Sequence, residues 1–248
     1  MGKTSPLISC ICVTFNKPLK LDAAIAYFEA QTYENKQLII LYEDHDLATT
    51  HYIKNRTFPD NCKVLEVSGY PKRTLGELRN MAIAEADGDF ICQWDDDDWY
   101  HVNRLQYQFT ALTAAGKSGS ILTHWLIFNA TNNKLYISHA RNWEGSLLCR
   151  KQLFSLKQYD NSSRGEDTAV VEFLCEEGYI VNINEITGLY IYVYHGGNTW
   201  DLNHFNEIFA CCQEIQVSAD MTGKIFGLSP DQSSVLIDEI LLSSDIVI

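Results

Sequence analysis

From Leu7 to Val13 the chain is almost unbroken in apolar residues, the pattern of a strand buried on both faces. Leu21, Ile25 and Phe28 then recur at helical spacing. Gln37 to Tyr42 and Cys62 to Val67 read as two more strands. Thr74-Leu75-Gly76-Glu77 has the form of a capping box, opening a helix with Leu75, Leu78, Met81 and Ala82 on one side. Asp87-Gly88 ends that helix, and Phe90 to Trp94 is a fourth strand. The succession predicts an α/β fold whose strands are largely parallel.

The middle of the chain is less regular. Ser120 to Phe128 and Lys134 to Ser138 predict a β-hairpin about Thr131-Asn132-Asn133, and Ser146 to Arg150 a short strand or turn. Gly165-Glu166-Asp167 opens a helix with Val170, Val171 and Leu174 inward and Gly178 as its stop. Tyr179 to Asn184 and Leu189 to Tyr194 read as strands. Past Thr199, Leu202, Phe205, Phe209, Cys212 and Ile215 predict one amphipathic helix over Asp201 to Ile215. Ser229-Pro230-Asp231-Gln232 caps another, carrying Leu236, Ile237, Ile240 and Leu241. The pattern divides the chain into a main domain, 1–200, and a helical extension, 201–248, packed on that domain or at the interface of a homo-oligomer.

Composition narrows the picture. The 248 residues are 46% apolar, enough to bury a sizeable core. With 32 acidic and 19 basic residues the net charge is −13, which disfavours nucleic acid and anionic lipid as broad-surface partners. No stretch reaches the roughly 18 to 20 apolar residues of a membrane span, and Met1 to Pro6 has no secretory-leader pattern. Eight cysteines without a C-x-x-C pair, most of them in apolar segments, point to a reduced, cytoplasmic protein.

Chemistry enters where the fourth strand runs into Asp95-Asp96-Asp97-Asp98. Four adjacent carboxylates at the carboxyl edge of a sheet repel one another and call for a cation. A hard divalent ion, Mn²⁺ or Mg²⁺, suits oxygen ligands and commonly holds a substrate phosphate as well. A solvated acidic turn is the bland reading of the same run.

Val13-Thr14-Phe15-Asn16-Lys17, Gln31-Thr32-Tyr33, Arg79-Asn80, Gly88-Asp89-Phe90 with the acid run, Trp143-Glu144-Gly145-Ser146 and Gly165-Glu166-Asp167 stand in the order found in family 2 glycosyltransferases. Over about Pro6 to Trp200 the chain resembles that family. The resemblance implies a GT-A fold, a mixed but largely parallel central sheet flanked by helices, here with a C-terminal helical appendix. It further implies transfer of a sugar from a nucleoside diphosphate donor, a UDP-sugar foremost, to an acceptor hydroxyl, with inversion. The acceptor would be a glycan, a lipid-linked sugar or a protein. The family's D-x-D pattern maps onto Asp95, Asp96 and Asp97, with Asp97 as metal ligand, Asp95 or Asp96 toward the donor ribose or sugar, and Asp98 as the competitor in a slipped register. Asp167 corresponds to the family's base. The same two residues, Glu166 and Asp167, also suit a helix dipole.

The other site expectations are less specific. Thr14 and Asn16 follow the first strand, where they would hold the base and ribose. The family's acidic turn after the second strand is replaced by Tyr42-Glu43-Asp44-His45-Asp46, with Glu43 or Asp44 as substitutes for its base-reading acid. Arg79 would face the donor. His195, before Gly196-Gly197, would reach the metal or diphosphate. Trp143 would wall the acceptor side together with Glu144. A sugar nucleotidyltransferase would want a glycine-rich phosphate loop after the first strand, which Val13 to Pro18 lacks. A non-catalytic nucleotide- or carbohydrate-binding module would have no use for a base. A calcium loop would require a spacing and a distal glutamate absent here.

Overall fold

The computed structural model describes residues 5–244. Strand β1 (Ile8–Val13) lies inside a seven-stranded sheet, paired in parallel with β2 (Lys36–Glu43) on one side and β4 (Phe90–Gln93) on the other. Beyond β2 lies β3 (Cys62–Val67), also parallel. Because β1 leads to β2 in one direction while β4 sits in the other, the carboxyl ends of β1 and β4 flank a crevice, the usual ligand position in α/β sheets. The loop Thr14–Lys17 and the four aspartates hang from those two ends.

Helix α1 (Pro18–Glu29) starts with proline in its first turn and buries Leu21, Ala24, Ile25 and Phe28. Three helices escape sequence periodicity, two in the main domain and Ala219–Ile225 near the C-terminus. In α2 (Leu47–Lys54) only Thr49 is buried, so no apolar stripe exists to be read. After α3 (Leu75–Ala84), whose predicted capping box is present with Thr74 and Glu77 reciprocally bonded, comes the two-residue strand β5 (Trp99–Tyr100) and then α4 (Arg104–Ala114). Helix α4 turns Arg104 and Gln108 into the core beside Leu105 and Leu112, which masks its period. Arg104 is fully buried: Nη2 donates to the Gln93 and Gly145 carbonyls (3.1 and 3.2 Å), and the rings of Tyr100 and Tyr190 lie against its guanidinium.

The structure corrects two predicted elements. Ser120 to Phe128 is not one strand but two, β6 (Gly119–Leu122) and β7 (Leu126–Asn129), separated at Thr123–Trp125 and belonging to different sheets. Strand β6 joins the seven-stranded sheet between β9 (Leu148–Arg150), antiparallel to it, and β10 (Ile180–Ile183), parallel to it. Strand β7 forms the predicted hairpin with β8 (Lys134–Ile137) in a five-stranded sheet that also holds β5 and β11 (Tyr190–Tyr194). Between β9 and β10 runs α5 (Thr168–Glu176), stopped as expected at Gly178, whose φ is +70°.

The second correction concerns Asp201 to Ile215. Helix α6 ends at Cys211 (Leu202–Cys211), and Gln213–Ile215 forms β12, antiparallel to β8 with Ile215 opposite Leu135. Ile215 is buried because it sits in a sheet, not on a helix face. Helices α7 (Ala219–Ile225) and α8 (Pro230–Ser243) follow. The predicted capping box of α8 forms between Ser229 and Gln232, and Ile237 and Ile240 join the main apolar cluster. Its Ser233 hydroxyl accepts from Trp99 Nε1 and its Ser234 hydroxyl from the Val102 backbone N–H, both at 3.1 Å.

Candidate active site

A cavity of about 610 Å³ opens over the ends of β1 and β4. Thr14, Asn16, Glu43, Arg79 and Asp95 to Asp98 line one part, and Trp143, Glu144 and Asp167 another. Asp44 does not line it: its carboxylate accepts from the Gly69 backbone N–H at 2.8 Å, a strut between the loops after β2 and β3. Glu43, buried and only loosely bonded to the Arg73 N–H at 3.4 Å, is the acid of that loop which faces the cavity. Asp46, the last acid of the same stretch, caps α2 through Thr49 N–H (3.0 Å) and accepts from the Asn16 N–H at 2.6 Å. That bond holds Asn16 at φ +55°, a conformation asparagine tolerates better than most residues.

The four aspartates have four different environments. Asp95 accepts from Arg79 Nη2 at 2.6 Å. Asp96 is buried and accepts from the Thr14 hydroxyl at 2.6 Å, so Thr14 spends its donor on the protein. Burial, then the charge of Asp97, pushes the Asp96 pKa up to about 7 against the opposing pull of Lys17. Asp97 Oδ2 meets two nitrogens, Lys17 Nζ at 2.6 Å and His195 Nε2 at 3.0 Å. Burial alone would raise the Asp97 pKa, but the His195 hydrogen bond and the Lys17 charge outweigh it and hold the carboxyl well below the usual range. Asp98 points away from the others, accepting from the Tyr190 hydroxyl and from the Val193 N–H at 2.9 Å. Burial and the charges of Asp97 and Asp95 raise its pKa well above the ordinary value. The slipped register, with Asp98 as the metal competitor, thus meets a carboxyl already committed to β11.

Among the described residues no three His, Cys, Asp or Glu side chains converge as a cation cage. Asp97 and His195 do converge, and an oxygen and a nitrogen donor fit a divalent ion whose other positions go to substrate phosphate and water. The Gly197 N–H donates to His195 Nδ1 at 3.1 Å, so Nε2 carries the proton given to Asp97. Ligating a metal through Nε2 would require that proton to move to Nδ1, with loss of the Gly197 contact, and Lys17 to leave the Asp97 oxygen. Lys17, outside the sequence expectations as a site residue, stands on the same Asp97 oxygen, and Asp96 and Asp97 hold its pKa up against burial. Its signal in the sequence is its place at the end of Val13-Thr14-Phe15-Asn16-Lys17.

Arg79 is the joint of the site. Buried, it pairs with Glu166, with Asp95 and, at 3.3 Å, with Asp167. Its fork also reaches the Gln93 side-chain oxygen at 3.1 and 2.9 Å once that amide is oriented so that its nitrogen faces the Tyr159 hydroxyl. With its donors engaged by protein acceptors, Arg79 orients carboxylates and has little left for a ligand. Glu166 is buried, and burial raises its pKa against the pull of Arg79. Asp167 caps no backbone N–H of α5 and turns a partly open carboxylate to the cavity. Gly165, at φ +63°, makes the turn that separates these two neighbours.

Across from the acids, Trp143 stacks on Trp125 at 4.7 Å and 18° and meets Tyr192 at 4.7 Å, so its ring is a fixed wall. Glu144 holds Arg141 Nη2 at 2.9 Å. Trp94, Trp99 and Trp125 are buried framing residues, as expected.

Comparison with known proteins gives a consistent family. The model of the family described as Glycosyl transferase family 2 matches residues 9–175. The UDP-Glc:alpha-D-GlcNAc-diphosphoundecaprenol beta-1,3-glucosyltransferase WfgD of Escherichia coli is 31% identical over 106 residues, 43% of this chain and 41% of WfgD. Protein CgeD of Bacillus subtilis is 26% identical over 138 residues, 53% of this chain and 32% of CgeD. The matched parts span less than half the length of either relative. S. aureus TarS 1-349 in complex with UDP superposes with a TM-score of 0.59 at 14% identity, covering 94% of this chain and 70% of TarS 1-349. The mannosyltransferase PcManGT from Pyrobaculum calidifontis, in complex with GDP-Man and Mn²⁺, superposes with 0.58 at 12% identity, covering 97% and 75%. At such identities the likeness is one of fold, and that fold is GT-A.

Proposed function

Because the chain belongs to glycosyl transferase family 2, we propose that it transfers a sugar from a nucleoside diphosphate sugar to an acceptor hydroxyl, with inversion at the anomeric carbon. The observation that carries this reading is Arg79, which ties Asp95 of the acid run and Asp167 to one buried guanidinium. A donor seated over Asp95 to Asp97 is thereby held beside a carboxylate of fixed orientation. Glu43 and the backbone of Thr14–Asn16 face the nucleoside, and the Asp97–Lys17–His195 group faces the diphosphate. Trp143 and Glu144 face the acceptor. A divalent ion, Mn²⁺ or Mg²⁺, held by Asp97 and His195 would supply Lewis acidity to the leaving diphosphate.

Asp167 accepts the proton of the acceptor hydroxyl as its oxygen attacks the anomeric carbon, and the bond to the diphosphate oxygen breaks on the opposite face. Lys17, an ammonium beside the acids, offsets negative charge where the diphosphate departs. WfgD is named for UDP-Glc and TarS was solved with UDP, which favours a UDP-sugar. PcManGT, solved with GDP-Man, keeps guanosine donors in contention.

Donor hydrolysis measured across UDP-, GDP- and dTDP-sugars with Mn²⁺ tests the reading. Release of nucleoside diphosphate from one class, suppressed by EDTA, is expected. No turnover of any sugar nucleotide, with or without added acceptors, would defeat it.

A further inference from the structure

The rim of the cavity next to Asp167 carries a group that donor binding and base catalysis leave unused. Arg164 lies three positions before Asp167, in a turn held at both ends by one side chain. The Ser162 hydroxyl accepts from the Arg164 N–H (3.1 Å) and donates to its carbonyl (2.6 Å). The guanidinium lies over the Trp200 ring at 5.4 Å. His204 stacks on the same indole at 4.3 Å and 20°. All three side chains, with Arg141, line the cavity.

Two features single this cluster out. In a chain of net charge −13, Arg164 has no carboxylate ion pair among the described residues, a property it shares in this cavity with Lys72 and Arg73, whereas Lys17, Arg79 and Arg141 have one. Arg164 differs from Lys72 and Arg73 in being seated on an aromatic ring. Trp200 is also poorly placed to serve as a sugar platform, because a cation and an imidazole already occupy its ring. Its effect is to fix those two groups at the rim. Burial and then the charge of Arg141 lower the His204 pKa against the opposing pull of Glu207 and Asp201, with Arg164 adding to the lowering.

A guanidinium fork of this kind matches phosphate oxygens. The donor diphosphate does not account for it, since that group belongs with Asp97, Lys17 and His195, whereas Arg164 neighbours the base. We propose that Arg164, braced by Trp200 and joined by Arg141 and His204, binds a phosphate group carried by the acceptor near its reacting hydroxyl. This rests on the glycosyl transfer reading and narrows it to acceptors that are phosphorylated sugars or polyols. The chain's overall negative charge repels such acceptors at long range, so the local cations also confer selectivity.

The test is ligand-observed NMR with the full chain, saturated with Mn²⁺ and the nucleoside diphosphate found in the donor screen, which blocks the donor phosphate site. The probes are α-N-acetylglucosamine 1-phosphate, α-glucose 1-phosphate and glycerol 3-phosphate, each with its unphosphorylated parent, plus glucuronic acid as a carboxylate control. At least one phosphorylated probe should bind roughly tenfold or more tighter than its parent. Arg164→Ala should reduce that ratio to about threefold or less, and Arg164→Lys should restore part of it. Because the readout is a ratio, a general loss of folding lowers both terms, and an unchanged thermal midpoint provides the control.

Equal binding of phosphorylated and parent probes overturns the proposal. So does a ratio untouched by Arg164→Ala, preferential binding of glucuronic acid, or no binding of any probe. Failure of the glycosyl transfer reading appears separately, as absence of donor hydrolysis by the unaltered protein.

Discussion

At the end of β4 three of four adjacent carboxylates meet two cations, Lys17 and Arg79; ahead of α5 two carboxylates share Arg79. In both places the chain makes the same division. Each buries carboxyl groups and gives them over to structure: Asp96 and Asp98 in the run, Glu166 in the pair. A neighbour keeps an edge on the cavity: Asp97 with Lys17 and His195, Asp167 with a long contact to Arg79. The buried members have pKa values raised by burial, whereas Asp97 is held low by its nitrogen partners. Adjacent residues of one chemistry thus acquire different work through depth and partner. Desolvation sets the structural acids, and directed charge sets the one facing the diphosphate.

Breaking the joint between the two regions should have the largest effect. Arg79→Met leaves Asp95, Glu166 and Asp167 without their shared cation, and removal of one partner from a buried pair costs about 3–5 kcal/mol. Chemical denaturation should show a loss on that scale. A change below about 1 kcal/mol would mean that solvent already screens the cluster.

Asp97→Asn comes next. It removes one ligand and the charge that holds Lys17 and His195, so Mn²⁺-supported donor affinity should fall roughly 10- to 100-fold with the fold intact. Calorimetry with and without EDTA measures this. Equal donor affinity with and without metal in the unaltered protein would remove Asp97 from that role.

Asp98 sharpens the contrast from the other side. Asparagine keeps the size of Asp98, its amide oxygen can accept from the Val193 N–H and its nitrogen can donate to the Tyr190 hydroxyl oxygen, so Asp98→Asn should leave donor affinity nearly unchanged at a small cost in stability. Asp98→Ala strands the Val193 N–H and the Tyr190 hydroxyl and should cost about 1–3 kcal/mol in a thermal melt. Similar donor-affinity losses in Asp98→Asn and Asp97→Asn would erase the distinction between them.

The smallest effect is a slope. The folded state holds the Glu166 proton to higher pH than the unfolded chain does, because burial raises its pKa above 4.5. Its contribution to stability is therefore complete below that value and declines as pH rises through the folded pKa. Glu166→Gln should flatten stability against pH over that range. A steeper dependence in the variant would contradict the assigned direction.

Much of this arrangement is legible in the chain. An apolar run delivering acids to a sheet edge is a local pattern, and so are the two capping boxes and the order of motifs ending at Glu166-Asp167. What stays hidden depends on meetings between distant residues. Arg79 reaches acids 16, 87 and 88 positions away, and Lys17 reaches Asp97 across 80. Helix α4 is masked because it buries an arginine and a glutamine, and β12 because three residues carry too little period to separate them from the helix before them. Asp44 and Glu43 are indistinguishable in sequence, and only the turn decides which one faces the cavity.

The division between Asp167 and Glu166 is tested most directly by transfer rates at saturating donor. Asp167→Asn keeps the shape and removes the proton-accepting charge, so transfer should fall by about 10² to 10⁴ while donor binding survives. Glu166→Gln should lose far less rate, because its carboxylate touches Arg79 and not the acceptor. Equal and mild rate losses in the two variants would take Asp167 out of the mechanism and contradict the account.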